Sequence, residues 1–192
     1  MKSVRVGTRS SALARWQTGQ VIALLRAMEP DLGVDVLDVS TLGDELPDAP
    51  LDRMDGTGFF TSTLERLLLD QEIDIAVHSY KDLPVAATTG LLVVAVPIRG
   101  PVEDVLCACD GATLATLAAG ASVGTSSLRR VAQLRAIRPD LDYQPLRGNV
   151  PTRLDRVALG ELDAVVLARA GVERLGLGDR VKIGRASCRE RV

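Results

Sequence analysis

The fold is decided by the stretch Ala121-Ser122-Val123-Gly124-Thr125-Ser126-Ser127-Leu128-Arg129-Arg130. Its first four residues form a short apolar run typical of a strand, and residues 127–137 are predicted to form a helix. Hydroxyls, backbone N–H groups and guanidinium groups therefore gather where the helix begins. Helix N-termini that carry such groups bind anions.

Two further turns have the same layout. They are Val6-Gly7-Thr8-Arg9-Ser10-Ser11 and Leu146-Arg147-Gly148-Asn149-Val150-Pro151-Thr152-Arg153. Each follows a predicted strand and precedes or opens a predicted helix. Three such turns in one short chain predict a ligand with several carboxylates or phosphates.

Outward from these turns, strands alternate with helices along the chain. The predicted strands lie near 4–7, 34–39, 73–77, 91–96, 104–109, 121–124, 141–146 and 163–167. The predicted helices cover 11–28, 60–71, 127–137 and 151–159. This alternation predicts an α/β fold with a largely parallel sheet.

A domain boundary is predicted at Val96-Pro97-Ile98-Arg99-Gly100-Pro101, where prolines and glycine interrupt the pattern. Residues 1–97 form the first predicted domain and 98–182 the second. Two α/β lobes joined in this way usually hold a ligand in the cleft between them. Residues 183–192 lack an apolar period and resemble the translation of a sequencing adapter, so they are predicted to be a non-native tail.

Composition excludes several classes of protein. The 192 residues carry a net charge of −2, which argues against a general nucleic-acid binder. Only three of the 23 basic residues are lysines. This excess of arginine agrees with an anion-binding role, and biased codon usage is an alternative explanation for the arginines on the surface.

No signal peptide or membrane-spanning run is visible, so a cytoplasmic protein without membrane contact is predicted. Three cysteines and one histidine, His78, predict neither a disulfide framework nor a metal site.

A second informative stretch runs from Asp74 to Pro84. An apolar strand ends there and the cluster Ser79-Tyr80-Lys81-Asp82 follows. Polar groups just past the C-terminal end of a strand lie where open α/β sheets bind ligands. A surface Lys–Asp pair that contributes little is the alternative, and this stretch alone leaves both readings open.

Taken together, the motifs resemble those of the porphobilinogen deaminase (hydroxymethylbilane synthase) family. The matching stretches, in family order, are Gly7–Ser11 with Leu13–Gln17, Gly43-Asp44, Asp74–Pro84, Gly124–Arg130, Arg147–Asn149 with Thr152-Arg153, and Leu167–Gly171 with Arg174–Gly176. The resemblance implies a two-lobed, type II periplasmic-binding-protein-like α/β fold. It also implies a transferase of tetrapyrrole and heme biosynthesis that deaminates and joins four porphobilinogen molecules into hydroxymethylbilane. The growing polypyrrole of this family is anchored to a dipyrromethane cofactor, and a monomer is expected.

The resemblance also assigns roles to residues. Asp82 matches the catalytic aspartate, whose carboxylate stabilises positive charge on pyrrole N–H groups and helps to move protons. Arginine suits the many carboxylates of the substrate because its planar fork binds them bidentately. The predicted substrate- and cofactor-binding residues are Arg9, Ser11, Ser79, Lys81, Thr125, Ser126, Ser127, Arg129, Arg130, Arg147, Gly148, Asn149, Arg153 and Arg174. Four other side chains are predicted to have no binding role. Arg135, Arg138 and Arg156 are expected on solvated helix faces, and Trp16 is expected in the core.

The chain departs from the family pattern in two places. Asp55 and Thr57 replace a glycine and a lysine common in the Gly-rich loop at 53–60. No motif matches the Gly-Gly-Cys context of the cofactor cysteine, so the C-terminal cofactor domain is expected to be missing and the chain by itself inactive. The alternative function is a non-catalytic two-lobed anion-binding module. Asp82 discriminates the two, because an anion binder gains nothing from a carboxylate in an arginine-lined site.

Overall fold

The computed structural model describes residues 3–40, 61–108 and 111–178, together with the backbone of 182–184. The Gly-rich loop at 53–60, the Gly43-Asp44 motif, Cys109 and residues 185–192 lie outside the described residues. The chain divides into two compact units, Met1–Arg99 and Gly100–Val192. Each unit is an α/β structure, as the alternation of strands and helices predicts.

Unit 1 is built on a small parallel sheet. Its elements are β1 (Ser3–Arg9), α1 (Ala12–Met28), β2 (Gly33–Val39), α2 (Ser62–Leu69), β3 (Ile75–Ala76) and a 3₁₀ turn at Tyr80–Asp82. The strand order is β2-β1-β3, and β1 runs parallel to both neighbours. The C-terminal ends of these strands therefore lie at one edge of the sheet.

The core of unit 1 lies where α2 packs on the sheet. Leu64 and Leu67 of α2 are buried against Val39 and Ile73. A buried hydrogen bond from Thr18 Oγ1 to Thr8 Oγ1, 2.7 Å long, ties α1 to β1. Among the residues of α1, only Thr18 is buried.

Two predictions for unit 1 are wrong. Trp16 was expected in the core, yet 36% of it is exposed, because α1 packs on the sheet through Thr18 instead. The run 91–96 was expected to be a strand, but it has no strand or helix structure. Its six residues are all apolar, which is typical of a strand buried on both faces. However, no described strand pairs with it, and a strand forms only with a hydrogen-bonding partner.

Unit 2 is a larger mixed sheet with helices. Its elements are β4 (Asp104–Ala108), β5 (Ser122–Gly124), α3 (Leu128–Ile137), β6 (Asp142–Gln144), α4 (Val150–Ala158), β7 (Ala164–Ala168), α5 (Arg169–Arg174) and β8 (Lys182–Gly184). The strand order is β6-β5-β7-β4-β8. β5 pairs in parallel with β6 and β7, whereas β4 is antiparallel to β7 and β8, so the sheet is less parallel than expected.

Hydrophobic clusters cover both faces of this sheet. Val105 and Cys107 of β4 join one cluster, and Leu106 and Ala108 join the other, because successive side chains of a strand point to opposite faces. Burial raises the pKa of the Cys107 thiol to about 11. Cys107 therefore behaves as a small apolar residue, as the sequence indicates.

Candidate functional site

The site in unit 2 lies at one edge of the sheet. Because β5 and β6 are parallel, their C-terminal ends meet at that edge, and α3 and α4 begin just beyond it. This is the place where α/β sheets bind ligands, and the first turn of a helix has backbone N–H groups without a partner inside the helix. Both turns that carry the predicted binding residues are found here.

The first turn, Thr125–Ser127, is held by its own hydroxyls. Ser127 caps α3 by accepting a hydrogen bond from Arg130 N at 3.4 Å. The buried Thr125 accepts one from Ser127 N at 3.3 Å. Ser126 Oγ donates to Leu146 O at 2.5 Å and accepts from Leu146 N at 2.9 Å, which joins this turn to the second. These hydroxyls build the turn, and their direct contact with a ligand stays a prediction.

The second turn, Arg147–Asn149, depends on glycine. Gly148 has a φ of +99°, and a Cβ there would lie 3.0 Å from Thr152 Cγ2. Asn149 caps α4, because its Oδ1 accepts hydrogen bonds from Thr152 N at 3.0 Å and from Thr152 Oγ1 at 2.7 Å. Gly148 O accepts a hydrogen bond from Arg153 Nε at 2.8 Å. Gly148 therefore forms a turn with a left-handed backbone, and its carbonyl fixes Arg153.

Arginine charges converge beside these turns. Arg153 is half-buried, and its pKa is lowered first by burial and then by the charges of Arg130 and Arg147. An anion at this place would offset the mutual repulsion of the three guanidinium groups. The structure thus brings together three of the predicted carboxylate-binding arginines.

Arg130 has an internal partner that the sequence analysis missed. Its Nε and Nη2 donate to the two carboxylate oxygens of Asp104 at 3.0 and 2.6 Å, and its Nη1 donates to Val166 O at 3.2 Å. Arg129 Nη2 lies 3.6 Å from Asp104 Oδ2, and Arg129 Nη1 donates to Gln133 Oε1 at 3.1 Å. The sequence signal for this pairing was an aspartate at the start of the apolar strand β4, because a buried charge needs a partner.

Two other arginines lie elsewhere in unit 2. Arg174 is on the last turn of α5, and its Nη2 lies 2.8 Å from the position that a Cβ on Gly100 would take. Arg138 was expected on a solvated face, but only 17% of its side chain is exposed. It donates hydrogen bonds to Leu114 O, Leu117 O and Asp140, which fixes a loop rather than a ligand.

The predicted residues of unit 1 also follow strand ends. Arg9 ends β1, and Ser11 caps α1 by accepting a hydrogen bond from Ala14 N at 3.3 Å. Ser79 follows β3, and its hydroxyl donates to Gln17 Oε1 at 3.0 Å. Gln17 had no predicted role of its own, and only its place in the motif Leu13–Gln17 pointed to it.

Lys81 and Asp82 lie in the 3₁₀ turn after Ser79. Asp82 N donates to Ser79 O at 2.9 Å, and Asp82 is half-buried whereas Lys81 is exposed. The neighbouring His78 has a lowered pKa, chiefly because of burial and further because of the charge of Arg9; Glu65 and Asp82 oppose this shift. Asp82 and Arg9 therefore both act on His78 at this edge of unit 1.

Within the described ranges, no group of three histidine, cysteine, aspartate or glutamate side chains could hold a metal ion. In the same part of the chain, no helix is long and apolar enough to cross a membrane.

Two solved structures with similar folds are an effector-binding and a regulatory domain. The OxyR2 regulatory domain from Vibrio vulnificus matches with a TM-score of 0.51 and 13% identity, over 98% of this chain and 82% of that one. The effector-binding domain of QuiR in complex with shikimate matches with a TM-score of 0.50 and 10% identity, over the same shares. These likenesses concern the fold alone, which is of the type II periplasmic-binding-protein-like kind.

Sequence comparison identifies the family. Residues 4–189 match the family model described as porphobilinogen deaminase, dipyromethane cofactor binding domain. Porphobilinogen deaminase of Thermobifida fusca is 50% identical over 92% of this chain and 55% of its own length. That of Syntrophomonas wolfei is 47% identical over 94% of this chain and 59% of its own. The chain thus spans less than two thirds of these relatives, and it belongs to the porphobilinogen deaminase family.

Proposed function

We propose that the protein carrying this chain is a hydroxymethylbilane synthase. It joins four porphobilinogen molecules, releases four ammonia molecules, and adds one water to free the linear tetrapyrrole. The observation that carries the proposal is the convergence of Arg130, Arg147 and Arg153 where α3 and α4 begin. Each pyrrole brings two carboxylates, and a positively charged site of this kind suits such a chain.

The residues of unit 2 fit the dipyrromethane cofactor that the family model names. Two pyrroles bring four carboxylates, and the pKa of Arg153 is lowered first by burial and then by the charges of Arg130 and Arg147. The arginines beside these turns, Arg129, Arg130, Arg147 and Arg153, would hold these carboxylates, with the backbone N–H groups that begin α3. When bound, dipyrromethane supplies the pyrrole α-carbon that starts the chain. Cys107 is unsuited to attach it, because its thiol is buried and has a raised pKa.

The residues of unit 1 suit the reacting end of the substrate. In each step the bond from the aminomethyl carbon to nitrogen breaks and ammonia leaves. The α-carbon of the preceding pyrrole then forms a bond to that carbon and loses its proton. Asp82 stabilises the positive charge that develops on the pyrrole N–H and holds the transferred proton. Arg9, Lys81, Ser11 and Ser79 orient the substrate carboxylates around it.

We further propose that the protein acts as a cytoplasmic monomer without nucleic acid or membrane. Its net charge of −2 argues against binding to nucleic acid. The chain by itself is inactive, and its two domains divide at 97–98, two residues before the boundary between the compact units. Residues 183–192 are a non-native tail, although the family match runs into them. Sequencing genomic DNA beyond the codon for Val181 tests whether this tail is native. A reading frame that continues with a different sequence would support the proposal that the tail is non-native.

Replacing Asp82 tests the function. The test uses a chimera in which the unmatched part of the Thermobifida fusca relative completes this chain. We expect Asp82→Ala to lower hydroxymethylbilane formation by about 10²-fold or more, because a positioned acid–base group contributes that much. Porphobilinogen binding should persist or tighten, since a negative charge is lost.

Asp70→Ala is the matched control, because Asp70 is an exposed carboxylate at the end of α2. It should leave turnover unchanged. Undiminished turnover of the Asp82→Ala chimera would refute the role of Asp82. If the chimera that retains Asp82 binds porphobilinogen without releasing ammonia, the non-catalytic anion-binding module would be favoured.

A further inference from the structure

Asp104 is the buried carboxylate of the arginine site. It opens β4, and only 8% of its side chain is exposed. Isolated carboxylates are costly to bury, so a buried one is retained together with partners. Here the partners are Arg130, with 14% of its side chain exposed, and the half-exposed Arg129.

The contacts of Arg130 fix its guanidinium group in one orientation. Asp104 receives its Nε–Nη2 edge bidentately, and Val166 O receives Nη1. These bonds engage three of the five N–H groups that a guanidinium carries. The partners come from β4 and β7, while Arg130 itself lies in the first turn of α3. The first turn of α3 is therefore tied to two strands of the sheet.

Arg130 also interacts with another arginine of the site. The pKa of Arg153 is lowered first by burial and then by the charge of Arg130, so the two guanidinium groups interact although they belong to different helices. Asp104 offsets part of the positive charge while holding Arg130 still. A guanidinium that is already ordered loses less entropy when it binds a carboxylate.

We propose that Asp104 is a positioning residue for carboxylate binding: it holds one edge of Arg130 inside unit 2, so that the remaining N–H groups of that guanidinium receive a ligand carboxylate. The inference rests on the proposed carboxylate-binding function and deepens it. Asp104 acts through Arg130 and touches no ligand. Its effect on affinity therefore requires Arg130.

A double-mutant cycle tests this dependence. Citrate, a tricarboxylate, serves as the probe, and its binding to the 192-residue chain is measured by calorimetry at fixed ionic strength. We expect Asp104→Asn to weaken citrate binding about tenfold, since a charge-assisted hydrogen bond contributes on this scale. In the Arg130→Met background the same substitution should change affinity less than about twofold.

Asp140→Asn is the matched control. Asp140 pairs with Arg138 at 2.7 Å, but at the C-terminal end of α3. The substitution should lower thermal stability and leave citrate affinity unchanged. An equal loss of affinity on Asp104→Asn with and without Arg130, or no citrate binding by the native chain, would overturn the inference.

A second measurement on the native chain tests the inference even where the variants fold poorly. Phenylglyoxal modifies accessible arginines, and mass spectrometry locates the modified side chains. In the native chain Arg130 should react about tenfold more slowly than Arg129, because Arg130 is held and nearly buried. Equal reactivity would contradict the inference. Turnover by the chimera tests the reaction separately, so an inactive chimera with a positive cycle would leave the role of Asp104 standing.

Discussion

At the scale of single residues, the structure separates arginines that look alike in sequence. Arg130 is bound to a buried carboxylate, Arg153 is half-buried with a lowered pKa, and Arg156 on the same helix as Arg153 is exposed and pairs with Glu161 at 2.7 Å. Burial and charged neighbours decide what each guanidinium can do. Arg153 combines burial with like-charged neighbours, which makes it a candidate binding residue.

Replacing Arg153 should weaken carboxylate binding. A hydrogen bond to a charged group contributes about 1.5–3 kcal/mol, so we expect Arg153→Ala to weaken citrate binding by about 10- to 100-fold. Calorimetry on the chain measures this. Arg156→Ala removes an arginine from the exposed side of the same helix and should change affinity less than about twofold. Equal effects of the two substitutions would show that only overall charge matters.

His78 should make stability depend on pH. Its lowered pKa means that the folded state disfavours the protonated form, so the unfolded state binds this proton more tightly. The free energy of unfolding should therefore fall as pH drops below 6.5, the ordinary value for histidine. His78 is the only histidine, so urea unfolding at pH 7.5 and 5.5 compared with His78→Gln isolates the effect. A variant with the same pH dependence as the native chain would contradict this prediction.

At the scale of elements, two helix-starting turns act as one unit. Ser126 is hydrogen-bonded to both backbone groups of Leu146, so the turn before α3 is fixed to the turn before α4. Ser127 and Asn149 cap the two helices. The second turn also needs the left-handed conformation of Gly148, which L-residues with a Cβ adopt at a cost.

Gly148→Ala should destabilise unit 2. The positive φ and the contact with Thr152 together predict a loss of about 1–3 kcal/mol in the free energy of unfolding. Gly19→Ala provides the opposite case, because Gly19 lies within α1 with no atom within 4 Å of an added Cβ. That substitution should stabilise the chain by up to about 1 kcal/mol. Urea unfolding measures both, and a neutral Gly148→Ala would show that the turn relaxes.

At the scale of the whole molecule, the two units differ in their cores. The sheet of unit 2 carries a cluster of nine buried residues on each face. The cluster described in unit 1 has four buried members, and α1 buries Thr18 alone. Apolar side chains of the run 91–96, such as Leu92 and Val94, are more than four-fifths exposed. Less apolar burial among the described residues of unit 1 predicts a lower stability for that unit.

Unit 1 should therefore unfold before unit 2. Trp16 is the only tryptophan, so its fluorescence reports on unit 1, whereas far-ultraviolet circular dichroism reports on both units. We expect the fluorescence midpoint in urea to precede the dichroism midpoint. Hydrogen exchange should show faster opening in β1 than in β7. Coincident transitions would mean that the units unfold cooperatively.

Local patterns predicted much of the fold. The helix predictions at 11–28, 127–137 and 151–159 agree with α1, α3 and α4 within one or two residues, because capping residues and apolar spacing act locally. The strand predicted at 91–96 is wrong, since strand pairing depends on distant segments. The antiparallel direction of β4 also has no local signal.

The sequence by itself determined the α/β class, the family, and which residue types stand at the turns. The order of the motifs and the capping residues at the helix starts can be read directly from the sequence. Only the tertiary structure decided how those residues are used. It set Asp104 against Arg130, placed Arg153 beside two other cations, and bound Ser126 to Leu146. Such pairings arise when the sheet brings distant residues to one edge, and burial there fixes their charge and hydrogen bonding.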